Sequence, residues 1–153
     1  MRKQNKILVE QLDEKLKTFA NAKDVKVPER GWVYAIRKTL NMTLLQLGNK
    51  LGITPQAAKG IEEREASESI SIKSLREVGR ALDMQLVYGF VPMDNSVEKL
   101  IERKARNLAQ KIVLRTHHNM QLEDQANSNE RISEAIEELT QELKTELKKS
   151  LWN

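Results

Sequence analysis

The stretch LGITPQAAKGIEE (51–63) places a helix stop, a turn and a helix start in immediate succession, and no other feature of the chain restricts its fold as strongly. Gly52 offers the left-handed backbone at which helices commonly end. Thr54-Pro55 then offers an N-cap followed by a first helical position where the missing N–H of proline costs nothing. Upstream, Thr43-x-x-Gln46 forms a capping box just before an apolar run, so the helix that stops at Gly52 starts there. Two such helices must cross closely. Leu47, Leu51, Ile53, Ala58 and Ile61 supply a shared core, and Gly48 is small where the backbones approach. The spacing predicts a helix-turn-helix.

The flanking segments extend a mainly α reading. Aromatic residues make up 4% of the chain and charged residues 31%, so the core must be built from aliphatic side chains, a composition that favours helices. Ile7, Leu8, Leu12, Leu16 and Phe19 recur at helical spacing over 4–20, and NAKDVKVPER (21–30) breaks the pattern as a linker. Val33, Ile36 and Leu40 describe a helix over 32–40, and Ile72, Leu75, Val78 and Leu82 another over 71–83. MQLVYGFV (84–91), apolar on both alternations and closed by Pro92, predicts one short buried β-strand. Such a strand needs a partner for its backbone groups, either residues 24–27 or a second copy across a two-fold axis. After MDNS a long helix follows, HHNMQLEDQANSN (117–129) interrupts, and a last helix carries Ile132, Ile136, Leu139, Leu143 and Leu147 toward Trp152. The expected layout is an N-terminal helical arm and linker (1–30), a helix-turn-helix domain with a terminal strand (31–92) and a C-terminal helical hairpin (93–153) for dimerisation or partner binding.

Several function classes are disfavoured. With no Cys among 153 residues, disulfides, thiolate zinc sites and Cys nucleophiles are absent. No apolar run approaches the roughly 20 residues of a membrane span, and the N-terminus lacks a signal-peptide core, so a cytoplasmic protein is expected. His117 and His118 with Glu123 and Asp124 match no metal-site spacing. No Ser-His-Asp order, Gly-rich phosphate loop or zinc signature stands out, and neither an enzyme nor a cofactor is expected. A net charge of +4 and a pI near 9.3 permit an anionic partner without demanding one.

IRKTLNMTLLQLGNKLGITPQAAKGIEE (36–63) resembles the Cro and C1-type (lambda repressor-like, XRE) helix-turn-helix domain. That resemblance implies double-stranded DNA as partner and a structural ion pair between Arg37 and Glu62. EQLDEKL, RGWVYAIRKTLNMT, SIKSLREVGRALDMQLVYGFVP, HNMQLEDQ and the closing LW together resemble the mobile mystery protein A family over nearly the whole chain. Members are typically encoded beside a Fic-domain protein in an arrangement like a toxin and antitoxin pair. The resemblance therefore implies an antitoxin-like, autoregulatory transcriptional regulator, repressor or activator, associated with mobile elements, with a Fic-domain AMP-transferase as a further partner. The Ser/Thr-x-x-x-Glu-Gly/Asn helix that silences Fic proteins has no match in this chain.

In the usual docking the N-terminal half of the second helix enters the major groove. Thr54, Gln56, Ala57, Lys59 and Gly60 would face the bases. Gln56 is suited to adenine, Lys59 to guanine or a phosphate, and Ala57 and the Thr54 methyl to a thymine methyl. Gly60 has no side chain to read with, so direct readout is expected to be thin, with DNA shape contributing. Thr43 with the amides of its helix, Asn49, Lys50, Arg64 and Lys73 are candidates for phosphate contacts. Against this, the stretch from Thr54 to Ile70 holds two basic residues, Lys59 and Arg64, and four acidic ones, Glu62, Glu63, Glu65 and Glu68. The sequence-level expectation is a homodimer on an inverted repeat with half-sites ~34 Å apart or a multiple. The competing reading is a protein-interaction antitoxin that inhibits the Fic partner directly.

Overall fold

The computed structural model describes residues 2–122 and 129–153, and among them the chain is mainly α, with seven helices and no β-strand. Two compact units divide it, one formed by residues 24–88 and the other by residues 1–23 with 89–153. The N-terminal segment, expected as a separate arm, thus joins the C-terminal helices in one unit. Glu123 and Asp124, weighed above beside the His pair, lie outside the described residues. Among the described residues no helix is long and apolar enough to cross a membrane.

In the 24–88 unit four short helices follow one another: α2 (Trp32–Thr39), α3 (Leu44–Leu51), α4 (Pro55–Ala66) and α5 (Ile72–Ala81), after α1 (Arg2–Lys17) of the other unit. Local chemistry sets their starts. Thr43 and Gln46 make the reciprocal capping box, and the Thr54 and Ser71 hydroxyls accept from the backbone N–H of Ala57 and Ser74. Their ends share one device. A left-handed residue follows each helix, at Asn41, Gly52, Glu68 and Asp83. The next N–H then reaches back to a carbonyl in the last turn: Met42 to Arg37, Ile53 to Gly48, Ser69 to Arg64 and Met84 to Gly79.

Val33, Leu47, Ala58, Val78 and Leu82 form the buried centre of this unit, with Ile36, Leu51, Ile53, Ile61 and Leu75 packed around it. The α3–α4 crossing is tight enough that a Cβ on Gly48 would stand 2.7 Å from the Ile53 carbonyl oxygen and 3.2 Å from the Thr54 backbone.

The other unit is built on α6 (Val97–Leu122) and α7 (Asn129–Glu146), with α1 against them. Ala105 and Ala109, one turn apart and fully buried, let α7 approach closely, and Ile101, Leu143 and Leu151 fill the seam. Ion pairs Arg106–Glu137 at 2.7 Å and Lys144–Glu98 at 3.2 Å cross between α6 and α7. The Ser96 hydroxyl accepts from Lys99 N–H, as MDNS suggested, but Asp13 of α1 also caps α6, accepting from Val97 N–H at 2.6 Å and Glu98 N–H at 3.1 Å. α6 runs through His117 and His118 to Leu122, so the expected break begins later than residue 117.

The predicted strand over 84–91 is not formed. Residues 84–92 are irregular, and so is the segment 24–27 that was to pair with them. Val25 and Val27 are exposed, as are Val87 at 70%, Tyr88 at 60% and Phe90 at 82%, while Leu86 is half-buried. Apolar alternation signals a surface that gains from burial, but a strand exists only where a second backbone pairs with it, and none does so among the described residues.

Replacing Gly48 by Ala should lower stability despite the better helix propensity of alanine. The new methyl group meets backbone rather than a movable side chain, so a net loss of about 1–2 kcal/mol is expected. Urea denaturation would check this; an unchanged or raised midpoint would mean that the turn yields without cost.

Candidate functional site

Arg37 and Glu62 form the centre of the 24–88 unit's polar framework. Both are 6% exposed. Arg37 Nε donates to Glu62 Oε2 at 2.7 Å and Nη2 to Oε1 at 3.0 Å, a two-pronged pair, while Nη1 donates to the Met42 carbonyl at 2.9 Å. The hydrogen bonds to Glu62 raise the Arg37 pKa above its ordinary value, against the opposing effect of burial. One guanidinium thereby joins α2, the segment leading into α3, and α4.

One turn further along α4, Glu65 does for the start of α2 what no local side chain does. The N-cap of α2 is Gly31, at φ 88°, and it has no side chain with which to cap. Glu65 accepts from Trp32 N–H at 3.0 Å and Val33 N–H at 2.7 Å, satisfying two of the helix's free donors and placing negative charge at its positive end. The φ of 88° favours glycine at position 31, and a Cβ there would lie 2.7 Å from Glu65 Oε1 and push the capping carboxylate away. Sequence reasoning missed Glu65. The signals were the cap-less Gly31 and the three-residue spacing from Glu62, which puts both carboxylates on the same side of α4.

These two contacts dispose of half the acidity near the expected reading surface. Glu62 and Glu65 point into the unit, the first paired with Arg37 and the second hydrogen-bonded by the α2 amides. Glu63 stays on the surface with Lys59 4.0 Å away, and Glu68 sits at the left-handed C-terminus of α4.

The remaining sequence-selected residues divide by element. On α4 and its cap, Thr54, Gln56, Ala57 and Lys59 are exposed and Gly60 is half-buried, while Ala58 is fully buried beneath them. The Thr54 hydroxyl accepts from Ala57 N–H at 3.1 Å, leaving its methyl as the free part. Thr43, Asn49 and Lys50 are exposed at the two ends of α3, Lys73 is exposed in the first turn of α5, and Arg64 is exposed in the last turn of α4. Thr43's own N–H is taken by the Gln46 side chain at 2.9 Å, so an anion at this helix start would meet the amides of the first turn instead. The arrangement offers one helix with a short polar row, backed by small buried residues, beside α3, which packs on both α4 and α5.

No protein-family model matches the chain, and no curated protein and no solved structure matches it either.

Glu62→Ala should destabilise by about 3–5 kcal/mol, because it leaves the Arg37 charge buried and unpaired. The double replacement Arg37→Met/Glu62→Leu should cost less than either removal alone, and Glu65→Ala about 1 kcal/mol as a lost cap. Thermal melts of the wild type, these three variants and Arg37→Met alone would test this ranking, and an unaltered melting temperature in Glu62→Ala would refute it.

Proposed function

We propose that this protein is a sequence-specific DNA-binding transcriptional regulator in which α3, the turn at Gly52 and α4 act as a Cro/C1-type helix-turn-helix. The observation that carries the reading is the surface of α4. Gln56, Ala57 and Lys59 are exposed over its first turns, whereas Glu62 and Glu65 are drawn inward by α2. A helix docked by its N-terminal half in a major groove requires this division, since free carboxylates at the groove floor would repel phosphates.

In this reading Gln56 addresses an adenine, Lys59 a guanine or phosphate, and Ala57 and the Thr54 methyl a thymine methyl. Asn49, Lys50, Lys73 and the first-turn amides after Thr43 meet phosphates. Action as a homodimer on an inverted repeat is supported by Val87 and Tyr88, exposed apolar side chains of the 24–88 unit in the segment that could pair with a second copy. The resemblance to the mobile mystery protein A family supports autoregulation in an antitoxin-like setting.

A salt-controlled titration against the DNA upstream of its own coding sequence and against a scrambled duplex tests the proposal. Selective binding is expected, lost in Gln56→Ala/Lys59→Ala, with the Gln56 contact contributing about 1–3 kcal/mol if it is bidentate. Equal binding to both duplexes at physiological salt would sink the regulator reading and favour the antitoxin that acts on protein, for which co-purification with a Fic-domain protein and loss of its AMP transfer would be the signature.

A further inference from the structure

We infer that Arg64 selects a guanine in the target DNA, and that Gly60 is the slot that brings its guanidinium to the reading face. The inference rests on the DNA-binding reading above and gives Arg64 a specificity role instead of a phosphate contact.

Arg64 lies in the last turn of α4, a position whose Cα would ordinarily stand clear of the groove floor. Its side chain does not extend outward from there. A Cβ built on Gly60 would lie 3.2 Å from Arg64 Nη1, so the guanidinium occupies the space just above the glycine, a full turn back toward the helix start. Helical side chains lean in that direction, and at a rise of about 1.5 Å per residue the lean moves the charge roughly 6 Å toward Gln56. Gln56, Gly60 and Arg64 follow at intervals of four, forming one row on the side of α4 away from buried Ala58 and Glu62.

Chemistry along this row points the same way. Gln56 is matched to adenine and Gly60 carries nothing, so without Arg64 the row has no group shaped for guanine. Lys59, on the neighbouring row, is a point charge that shares its surroundings with Glu63. The Arg64 guanidinium is exposed and makes no side-chain hydrogen bond or ion pair among the described residues. Its planar pair of donors is therefore free for the O6 and N7 acceptors of a guanine, the commonest bidentate contact in major grooves. A missing side chain at position 60, which looks like a gap in the reading surface, becomes the space through which a longer one reads.

Selection from a randomised duplex pool at physiological salt, with the full-length wild type, Arg64→Lys, Arg64→Ala and Gly60→Ala, tests this. The wild type is expected to enrich a motif with a guanine in each half-site. Arg64→Ala and Arg64→Lys should both lose that preference by roughly 5- to 150-fold while keeping the other positions, since lysine retains the charge but not the fork. Gly60→Ala should fold at least as well and weaken the same position alone. A motif unchanged in both Arg64 variants, with affinity lowered on every sequence and a salt slope smaller by about 1, would make Arg64 a phosphate contact and overturn the inference. Guanine preference intact in Gly60→Ala would overturn the role of the slot. A wild type that enriches no motif would overturn the DNA-binding reading itself, a result distinct from the other two.

Discussion

The arrangement of the 24–88 unit depends on the buried guanidinium of Arg37. Its hydrophobic centre is small: Val33, Leu47, Ala58, Val78 and Leu82 are its buried members, and packing of this extent is tolerant of small rotations between helices. A buried charge is not tolerant. Removing Arg37 from water costs several kcal/mol unless its donors find acceptors at good geometry, and Glu62 with the Met42 carbonyl, from two other parts of the chain, accepts three hydrogen bonds, one from each guanidinium nitrogen. Glu65 then fixes the same pair of helices at the other end of α2, so α4 is held at two points a turn apart.

That clamp has a consequence for the outer side of α4. Inward orientation of Glu62 and Glu65 determines which residues must face outward, because positions three and four apart share a side. Gln56, Gly60 and Arg64 are therefore presented together, and the proposed reading surface is the complement of a structural requirement. A similar economy appears in the other unit, where Asp13 neutralises the start of α6 and ties α1 to it with one carboxylate.

Where a structural feature depended on residues three or four apart, it was legible beforehand. The capping box at Thr43, the N-caps at Thr54 and Ser71, and the left-handed turn at Gly52 are all interactions within one turn of chain. The left-handed residues Asn41 and Asp83 are polar types that tolerate this backbone, yet they also occur freely in helices and loops, and Glu68 gives no warning at all. The segment 84–91 misled for the opposite reason. Its composition is that of a strand, and composition reports how a residue would behave beside a partner, not whether one is present.

The sequence by itself determined where helices begin and mostly where they end, that the chain is mainly α, and which apolar residues of α3 and α4 turn inward. These follow from capping geometry and from a period of 3.6 residues, both local properties of the backbone. Arg37 with Glu62 was legible only through family resemblance, since the two are 25 residues apart. Tertiary structure alone decided that Glu65 caps α2 across 32 to 33 residues, that Asp13 caps α6 across 84 to 85, and that residues 84–91 find no ladder. Each of these depends on which backbone donors the fold brings within about 3 Å of a side chain, a matter of packing that periodicity does not encode.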